Sequence, residues 1–188
     1  MSSDITAVIL AGGLGTRMGG QDKGLLLYQG QAMITHVINA LKTQVHQIII
    51  NANRHQSDYH AYGYRVIQDE LADFQGPLAG MQAGLTHCTS ALCLFVPCDT
   101  PNLPQNLVNK LAQALQEHGV DIAIARSQRI YPVICLMKVS CLASLTDFLA
   151  SGQRKVLDWQ TSLPHCIVDF DSQSGDFDNY NNPQQWSA

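Results

Sequence analysis

The chain has 188 residues, of which 46% are hydrophobic and 14% are charged, and its formal net charge is -4. This length suits one well-buried domain over residues 1–188, and the composition is unlike that of disordered chains. The negative charge argues against a nucleic-acid-binding surface, which needs a basic face. Because no apolar run reaches about 20 residues and the start carries no secretory signal pattern, the sequence predicts a cytoplasmic protein without a membrane contact.

Strand and helix patterns alternate along the chain. Short apolar runs rich in β-branched residues predict strands at 5–11, 47–50, 65–68, 91–97, 120–125, 131–137 and 166–170. Helical periodicity predicts helices at 32–42, 78–87, 103–118 and 139–149. Short, almost wholly apolar strands belong to sheets that are covered on both faces. The sequence therefore predicts an α/β sandwich with a mainly parallel sheet.

The first predicted strand runs into the glycine-rich segment LAGGLGTRMGGQDKG, residues 10–24. It does not match a dinucleotide fingerprint, because Met18 stands where the third glycine is needed. It does not match a P-loop either, because Gln21 and Asp22 replace the required Lys and Ser or Thr. Its glycines can still bring backbone N–H groups close to an anion, with Arg17 and Lys23 adding positive charge. The segment predicts a phosphate cradle, and a solvated surface loop is the alternative.

Polar residues follow three other predicted strands. Asp99 follows the run ALCLFVPC and could hold Mg²⁺, although a turn or cap is the usual role of an Asp before Thr-Pro. Asn51 and Asp69 follow QIII and RVIQ and could read a base edge or a ribose hydroxyl. In open α/β sheets ligands bind beyond the carboxyl ends of the strands, so these side chains are expected to converge.

Gly76 and Pro77 resemble a helix start, since Pro is tolerated at the first helical position. Free N–H groups at 78–80 would then face the same cleft as a second candidate anion site. The six cysteines form no CxxC pair and are predicted to be buried reduced thiols, with a zinc or redox site as the alternative. No pair of side chains stands out as a general acid and base. Phosphoryl or nucleotidyl transfer does not demand such a pair when the attacking group is a phosphate, because that phosphate is already ionised at neutral pH.

Taken in order, the segments LAGGLGTRMGGQDKG, IIINANR, VIQDELADFQGPLAGM, FVPCDTP, SGQRKV and DNYNNP resemble the MobA family of molybdenum cofactor guanylyltransferases. The similarity extends over nearly the whole chain, from about Ile5 to Pro183. It implies a three-layer Rossmann-like nucleotidyltransferase fold and transfer of GMP from GTP to the terminal phosphate of the molybdopterin cofactor, with release of pyrophosphate. The alternatives are a related nucleotidyltransferase using CTP or a sugar phosphate, and a non-catalytic carrier of GTP or the cofactor.

The resemblance also implies three sets of site residues. The GTP contacts are Leu10, Ala11, Gly12, Lys23, Asn51, Asp69 and Asp99, and Asp99 also holds Mg²⁺. The residues that serve the transfer are Gly13, Arg17 and Gly20, together with Asp99. The residues on the pterin side are Gly76, Gly80, Arg154, Asn179 and Asn181.

The partners implied by the resemblance are GTP and the molybdopterin cofactor, with transient contacts to cofactor-biosynthesis and molybdoenzyme-maturation proteins. We expect a monomer. The family often has His before the proline in the segment that reads RIYPVICL here, so Tyr131 is assigned no contact. The motif LAGG resembles the guanylyl enzymes, whereas related cytidylyl enzymes tend towards LAAG.

Overall fold

The computed structural model describes residues 4–12, 22–70, 76–170 and 177. Within these residues the strands are β1 Ile5–Leu10, β2 Leu27–Tyr28, β3 Gln31–Ala32, β4 Gln47–Asn51, β5 Arg65–Ile67, β6 Leu92–Pro97, β7 Ile122–Arg126, β8 Ile130–Lys138 and β9 His165–Asp169. The helices are α1 Met33–Leu41, α2 Gln56–His60, α3 Pro77–His87, α4 Leu107–His118, α5 Leu142–Ala150 and α6 Val156–Thr161. Short 3₁₀ turns lie at Lys23–Leu25 and Val139–Cys141.

Seven strands form the central sheet, in the order β5-β4-β1-β6-β8-β7-β9. Neighbours are parallel except at β8, which runs antiparallel to both β6 and β7. The predicted mainly parallel sheet is confirmed. Strands β2 and β3 form a separate hairpin in the connection between β1 and α1.

The two faces of the sheet are covered by different helices. In β1, Ile5, Ala7 and Ile9 belong to a core that includes the buried faces of α1 and α4. Val8 points to the other core, which includes α3, α5 and Trp159 of α6. This alternation is the period of two that a strand imposes on its side chains. The helices and the sheet therefore form three layers, as the sequence predicts.

The structure differs from the sequence-based prediction at the start of one helix and by three short elements. Helix α4 begins at Leu107 and not at residue 103, because Pro104 disfavours helical geometry at the residue before it. Helices α2 and α6 and the β2–β3 hairpin were not predicted. Each of these elements has six residues or fewer, which is too short to show a hydrophobic period.

All six cysteines lie in the described part of the chain as free thiols, and four of them are buried. Burial raises the pKa of Cys93, Cys98 and Cys135. The four buried cysteines agree with the prediction of buried thiols, and they are Cys93, Cys98, Cys135 and Cys141. Cys88 and Cys166 are partly exposed.

In the part of the chain that the structure describes, no helix combines the length and the apolar character that a membrane crossing requires.

The strand order creates a crevice between the loops that follow β1 and β6. From β1 the chain adds β4 and then β5 on one side, and β6 on the other. The ends of these strands are in register, since Leu10 is paired with both Asn51 and Pro97. Ligands of open α/β sheets bind where the direction of strand addition reverses. The crevice beside β1 is therefore the place to look for a site.

Candidate active site

A lysine and an aspartate meet across this crevice. Lys23 begins the 3₁₀ turn in the β1–α1 connection, and Asp99 lies two residues beyond the end of β6. The Nζ of Lys23 donates a hydrogen bond of 3.1 Å to Oδ2 of Asp99. The Asp99 side chain is 9% exposed and that of Lys23 is 30% exposed. A nearly buried carboxylate needs such a charged partner, and the ammonium keeps an open side towards solvent.

Asp69, two residues beyond the end of β5, is held by two asparagines at the end of the neighbouring strand β4. Asn51 Nδ2 donates to Asp69 Oδ1 at 2.9 Å, and Asn53 Nδ2 donates to Asp69 Oδ2 at 2.8 Å. The Asp69 backbone N–H donates in return to Asn53 Oδ1 at 2.9 Å. Each carboxylate oxygen carries a second lone pair, so the network can still accept a hydrogen bond from a ligand.

Asn53 is a candidate site residue that the sequence reasoning missed, because it forms two hydrogen bonds with Asp69. It lies two residues after Asn51, the last residue of β4. A spacing of two puts both side chains on one side of an extended chain. The repeat of Asn in INANR was the signal that could have found it.

Gly12 and Gly80 allow this asparagine pair to lie close to the backbone of the loop and of α3. A Cβ at Gly80 would lie 2.4 Å from Asn51 Oδ1 and 3.0 Å from Leu10 Cδ2. A Cβ at Gly12 would lie 3.0 Å from Asn53 Nδ2. The structure thus brings Gly80, which the resemblance places on the pterin side, against residues of the predicted GTP set.

Helix α3 begins where the sequence predicts. Gly76 is its N-cap, with φ 79°, and Pro77 is its first residue. The Ala79 N–H donates to the Gly76 carbonyl at 3.2 Å, so the prediction of free N–H groups at 78–80 is wrong for Ala79. The tight first turn of the helix uses this N–H group in a hydrogen bond of its own. The role of Gly76 on the pterin side stays a prediction.

The described hydrogen bonds of Arg154 lie close to the end of α5. The Arg154 guanidinium donates to the carbonyls of Leu149 and Gln153, at the end of α5. These are local contacts, and its predicted pterin role is not tested by them. The remaining predicted site residues lie outside the described residues: Gly13, Arg17, Gly20, Asn179 and Asn181.

Tyr131, which stands where the resembling family often has His, is used for packing. It is 6% exposed, and its ring centroid lies 5.2 Å from that of Phe177. The Arg129 guanidinium lies 5.0 Å from the centre of the Tyr131 ring. A ring engaged on its face and edge contributes to the core and to a cation–π contact. That Tyr131 makes no ligand contact stays a prediction.

The chemistry of the described residues fits a magnesium ion that is shared with a ligand. In residues 4–12, 22–70 and 76–170, no group of three or more His, Cys, Asp or Glu is placed to hold a metal. Mg²⁺ typically takes one or two carboxylates and completes its shell with water and phosphate oxygens. The nearly buried carboxylate of Asp99, 3.1 Å from the Lys23 ammonium, could supply one such ligand.

Comparison with known proteins points to one family. A family model described as a MobA-like NTP transferase domain matches residues 7–165. A molybdenum cofactor guanylyltransferase of Haemophilus influenzae is 47% identical over 182 residues, which cover 96% of this chain and 95% of that protein.

Solved structures share the fold. Molybdopterin-guanine dinucleotide biosynthesis protein A from Archaeoglobus fulgidus superposes with a TM-score of 0.69 at 21% identity, covering 88% of this chain and 83% of that one. A Mycobacterium tuberculosis protein in complex with manganese superposes with a TM-score of 0.68 at 16% identity, covering 92% and 90% of the two chains.

Proposed function

The chain belongs to the family of MobA-like NTP transferases, and from this premise we propose that it transfers GMP from GTP to the terminal phosphate of the molybdopterin cofactor. The products are molybdopterin guanine dinucleotide and pyrophosphate. The observation that carries the proposal is the contact between Lys23 and Asp99, 3.1 Å long, at the point where the sheet reverses its strand order. It supplies one cation and one anion where a triphosphate and its metal need them.

The transfer exchanges one phosphoanhydride bond for another. A terminal phosphate oxygen of the pterin bonds to the α-phosphorus of GTP. The bond from that phosphorus to the oxygen bridging it to the β-phosphate breaks, and its electron pair leaves with pyrophosphate. The attacking phosphate has a second pKa of about 6 and is ionised at neutral pH, so the reaction needs no general base. Positioning and neutralisation of charge are what the protein must provide.

Lys23 and Asp99 divide this electrostatic work. The Lys23 ammonium is a point charge that can neutralise phosphate oxygens at the mouth of the crevice. Asp99 would hold Mg²⁺, which when bound neutralises negative charge on the triphosphate. Because Asp99 is nearly buried, its carboxylate has little freedom to leave this position. Arg17 and the glycines of the same loop are proposed to complete the cradle.

The Asp69 network is proposed to recognise the nucleoside. Asp69, Asn51 and Asn53 lie at the ends of β4 and β5, next to the end of β1. A carboxylate accepts hydrogen bonds, and both guanine, through its N1–H and N2 amino group, and ribose, through its hydroxyls, can donate them. The rigid pair of amides fixes the carboxylate plane, which makes the acceptor directional.

The experiment is a comparison of nucleotides. Purified protein, Mg²⁺ and molybdopterin cofactor are incubated with GTP, ITP, 2′-deoxy-GTP or CTP, and pyrophosphate and the dinucleotide product are measured. We expect turnover with GTP at a kcat/KM at least about 100-fold above that with CTP, since unmatched polar groups cost about 3 kcal/mol. Loss of rate with ITP would show that the guanine amino group is recognised, and loss with 2′-deoxy-GTP would show that the ribose 2′-hydroxyl is recognised.

Two results would contradict the proposal. A preference for CTP would make the protein a cytidylyltransferase of the same fold, and tight binding of GTP without pyrophosphate release would make it a carrier. Mg²⁺ as the resident metal, the monomeric state, the cytoplasmic location and the transient protein contacts stay predictions. Replacing Mg²⁺ with Mn²⁺ in the same assay tests the first of these.

A further inference from the structure

A buried tyrosine hydroxyl is tied to the segment that carries Lys23. Tyr59, on α2, has no exposed surface. Its hydroxyl donates a hydrogen bond of 2.5 Å to Asp22 Oδ1 across a separation of 37 residues. A buried phenol needs a partner for its polar tip. The partner of the Tyr59 hydroxyl is Asp22, in the loop after β1.

The same carboxylate oxygen caps the turn that begins with Lys23. Asp22 is the N-cap of the 3₁₀ turn Lys23–Leu25, and its Oδ1 accepts from the Gly24 N–H at 3.1 Å. Such a side-chain cap fixes the backbone direction of the first residues after it. Tyr59 and the turn are therefore connected through one oxygen atom.

Gly24 lets the turn lie directly on Tyr59 and on the residue before Asp99. A Cβ at Gly24 would lie 2.5 Å from the Tyr59 hydroxyl oxygen and 3.2 Å from Cys98 Sγ. Cys98 is in turn fixed to the sheet, because its N–H donates to the Leu10 carbonyl at 3.0 Å. The turn is thus held between α2 and the end of β6.

The phenol keeps its proton under all working conditions. Burial, followed by the neighbouring Cys98 and the hydrogen bond to Asp22, raises the pKa of Tyr59 far above its usual range. The hydroxyl therefore acts as a donor to Asp22 throughout the pH range in which an enzyme of this class is assayed.

We propose that Tyr59 is a positioning residue for Lys23: its hydroxyl, acting through Asp22, holds the turn Lys23–Leu25 in the conformation that presents the Lys23 ammonium to Asp99 and to the triphosphate. The inference rests on the proposed function, because it takes Lys23 as a nucleotide contact. Without the hydroxyl the turn populates other conformations. GTP then binds only the competent fraction, and its apparent affinity falls by that fraction.

The test removes the hydroxyl and keeps the ring. We expect Tyr59→Phe to raise KM for GTP, and Kd for Mg·GTP measured by calorimetry, by about 10-fold, the usual effect of one hydrogen bond to a charged group. Its kcat and its KM for the pterin substrate should change by less than about 3-fold. The matched control is Tyr62→Phe, whose ring lies 6.5 Å from that of Tyr59 and which should keep the wild-type constants.

A purely structural role would give a different pattern. It would lower Tm, but the molecules that remain folded would keep the wild-type KM. A wild-type KM for GTP in folded Tyr59→Phe therefore overturns the inference.

Asp22→Ala removes the acceptor of the same hydrogen bond. Because Asp22 lies in a loop outside the core, this variant tests the inference even if Tyr59→Phe does not fold. We expect it to raise KM for GTP at least as much, and Asp22→Asn, which keeps an oxygen acceptor, to stay within about 3-fold of wild type. The double variant with Tyr59→Phe should be no worse than Asp22→Ala alone. Additive losses would overturn the inference.

The same measurements separate failure of the inference from failure of the function. A wild-type protein that turns over GTP, with variants that match it, sinks the inference alone. A wild-type protein that neither binds Mg·GTP nor releases pyrophosphate refutes the proposed function, and the inference falls with it.

Discussion

Replacing Gly80 with alanine should damage nucleotide binding more than folding. The new methyl group would lie 2.4 Å from Asn51 Oδ1, where an ordinary contact is about 3.4 Å or more. The Asn51 amide must therefore move by about 1 Å. A displacement of this size breaks its 2.9 Å hydrogen bond to Asp69.

The expected magnitudes follow from what has to move. Loss of this intramolecular hydrogen bond costs the folded protein about 1.5–3 kcal/mol, and alanine gains about 1 kcal/mol over glycine in a helix, so the free energy of unfolding should fall by about 0.5–2 kcal/mol. A displaced Asp69 carboxylate also loses its proposed hydrogen bond to the nucleoside, worth about 1.5–3 kcal/mol because the acceptor is charged, so KM for GTP should rise about 10- to 100-fold.

The matched control lies one turn further along α3. A Cβ at Gly84 would lie 2.7 Å from Phe95 Cε1 and 3.0 Å from Val8 Cγ2, inside the apolar core. Gly84→Ala should therefore lower the free energy of unfolding by about 1–3 kcal/mol and leave KM for GTP unchanged. Steady-state pyrophosphate assays and urea unfolding of both variants measure the two effects. A wild-type KM in Gly80→Ala, or an equal rise in Gly84→Ala, would refute this reasoning.

Four further outcomes are expected. Asp99→Asn should lower kcat by at least about 10³-fold, because this one carboxylate carries the proposed metal. The control Asp121→Asn, which removes the partner of Lys138, should leave kcat unchanged. Both values are measured as pyrophosphate release while Mg²⁺ is titrated, and an unchanged kcat in Asp99→Asn would contradict the metal assignment. Arg17→Ala should lower kcat more than it weakens GTP binding, since its charge matters most in the transition state, by about 3 kcal/mol in kcat/KM; a higher KM with intact kcat would contradict this. Asn53→Ala should raise KM for GTP about 10-fold and narrow the preference for GTP over CTP, because a nucleoside-reading carboxylate loses one of its two amide donors. Cys88 should be alkylated by iodoacetamide before the other thiols, at a rate that rises as the pH passes through about 6. The reason is that a hydrogen bond from Cys93 lowers the pKa of Cys88 to about 6. Peptide mass spectrometry that finds Cys88 unlabelled at pH 7 would contradict this.

Much of the sheet could be read from the sequence because its strands are short and apolar on both faces. The run at 5–11 and the strand β1 agree within a residue at the carboxyl end. The direction of β8 could not be read, since an apolar run looks the same in a parallel and an antiparallel strand. The start of α4 was misplaced because helical periodicity continues through Pro104, whose effect on Leu103 is conformational and not hydrophobic.

Parts of the candidate site could be predicted where a polar residue follows an apolar strand. This pattern placed Asp99, Asn51 and Asp69 at the edge of the sheet, and the glycine-rich surroundings drew attention to Lys23. The bond between Tyr59 and Asp22 was not, because two segments 37 residues apart leave no local pattern that pairs them. Such contacts depend on tertiary packing, which places α2 under the turn.

The contact between Lys23 and Asp99 has a consequence for folding. The two residues are 76 positions apart and meet only when β1 has paired with β6. A partly folded chain that has formed only the local β7–β8 hairpin contains no nucleotide site. Under the proposed function GTP would therefore bind the native state alone, and at 100 times its Kd it would add about 2.7 kcal/mol to the free energy of unfolding. In a cell that maintains GTP well above that Kd, the substrate itself would protect the folded protein.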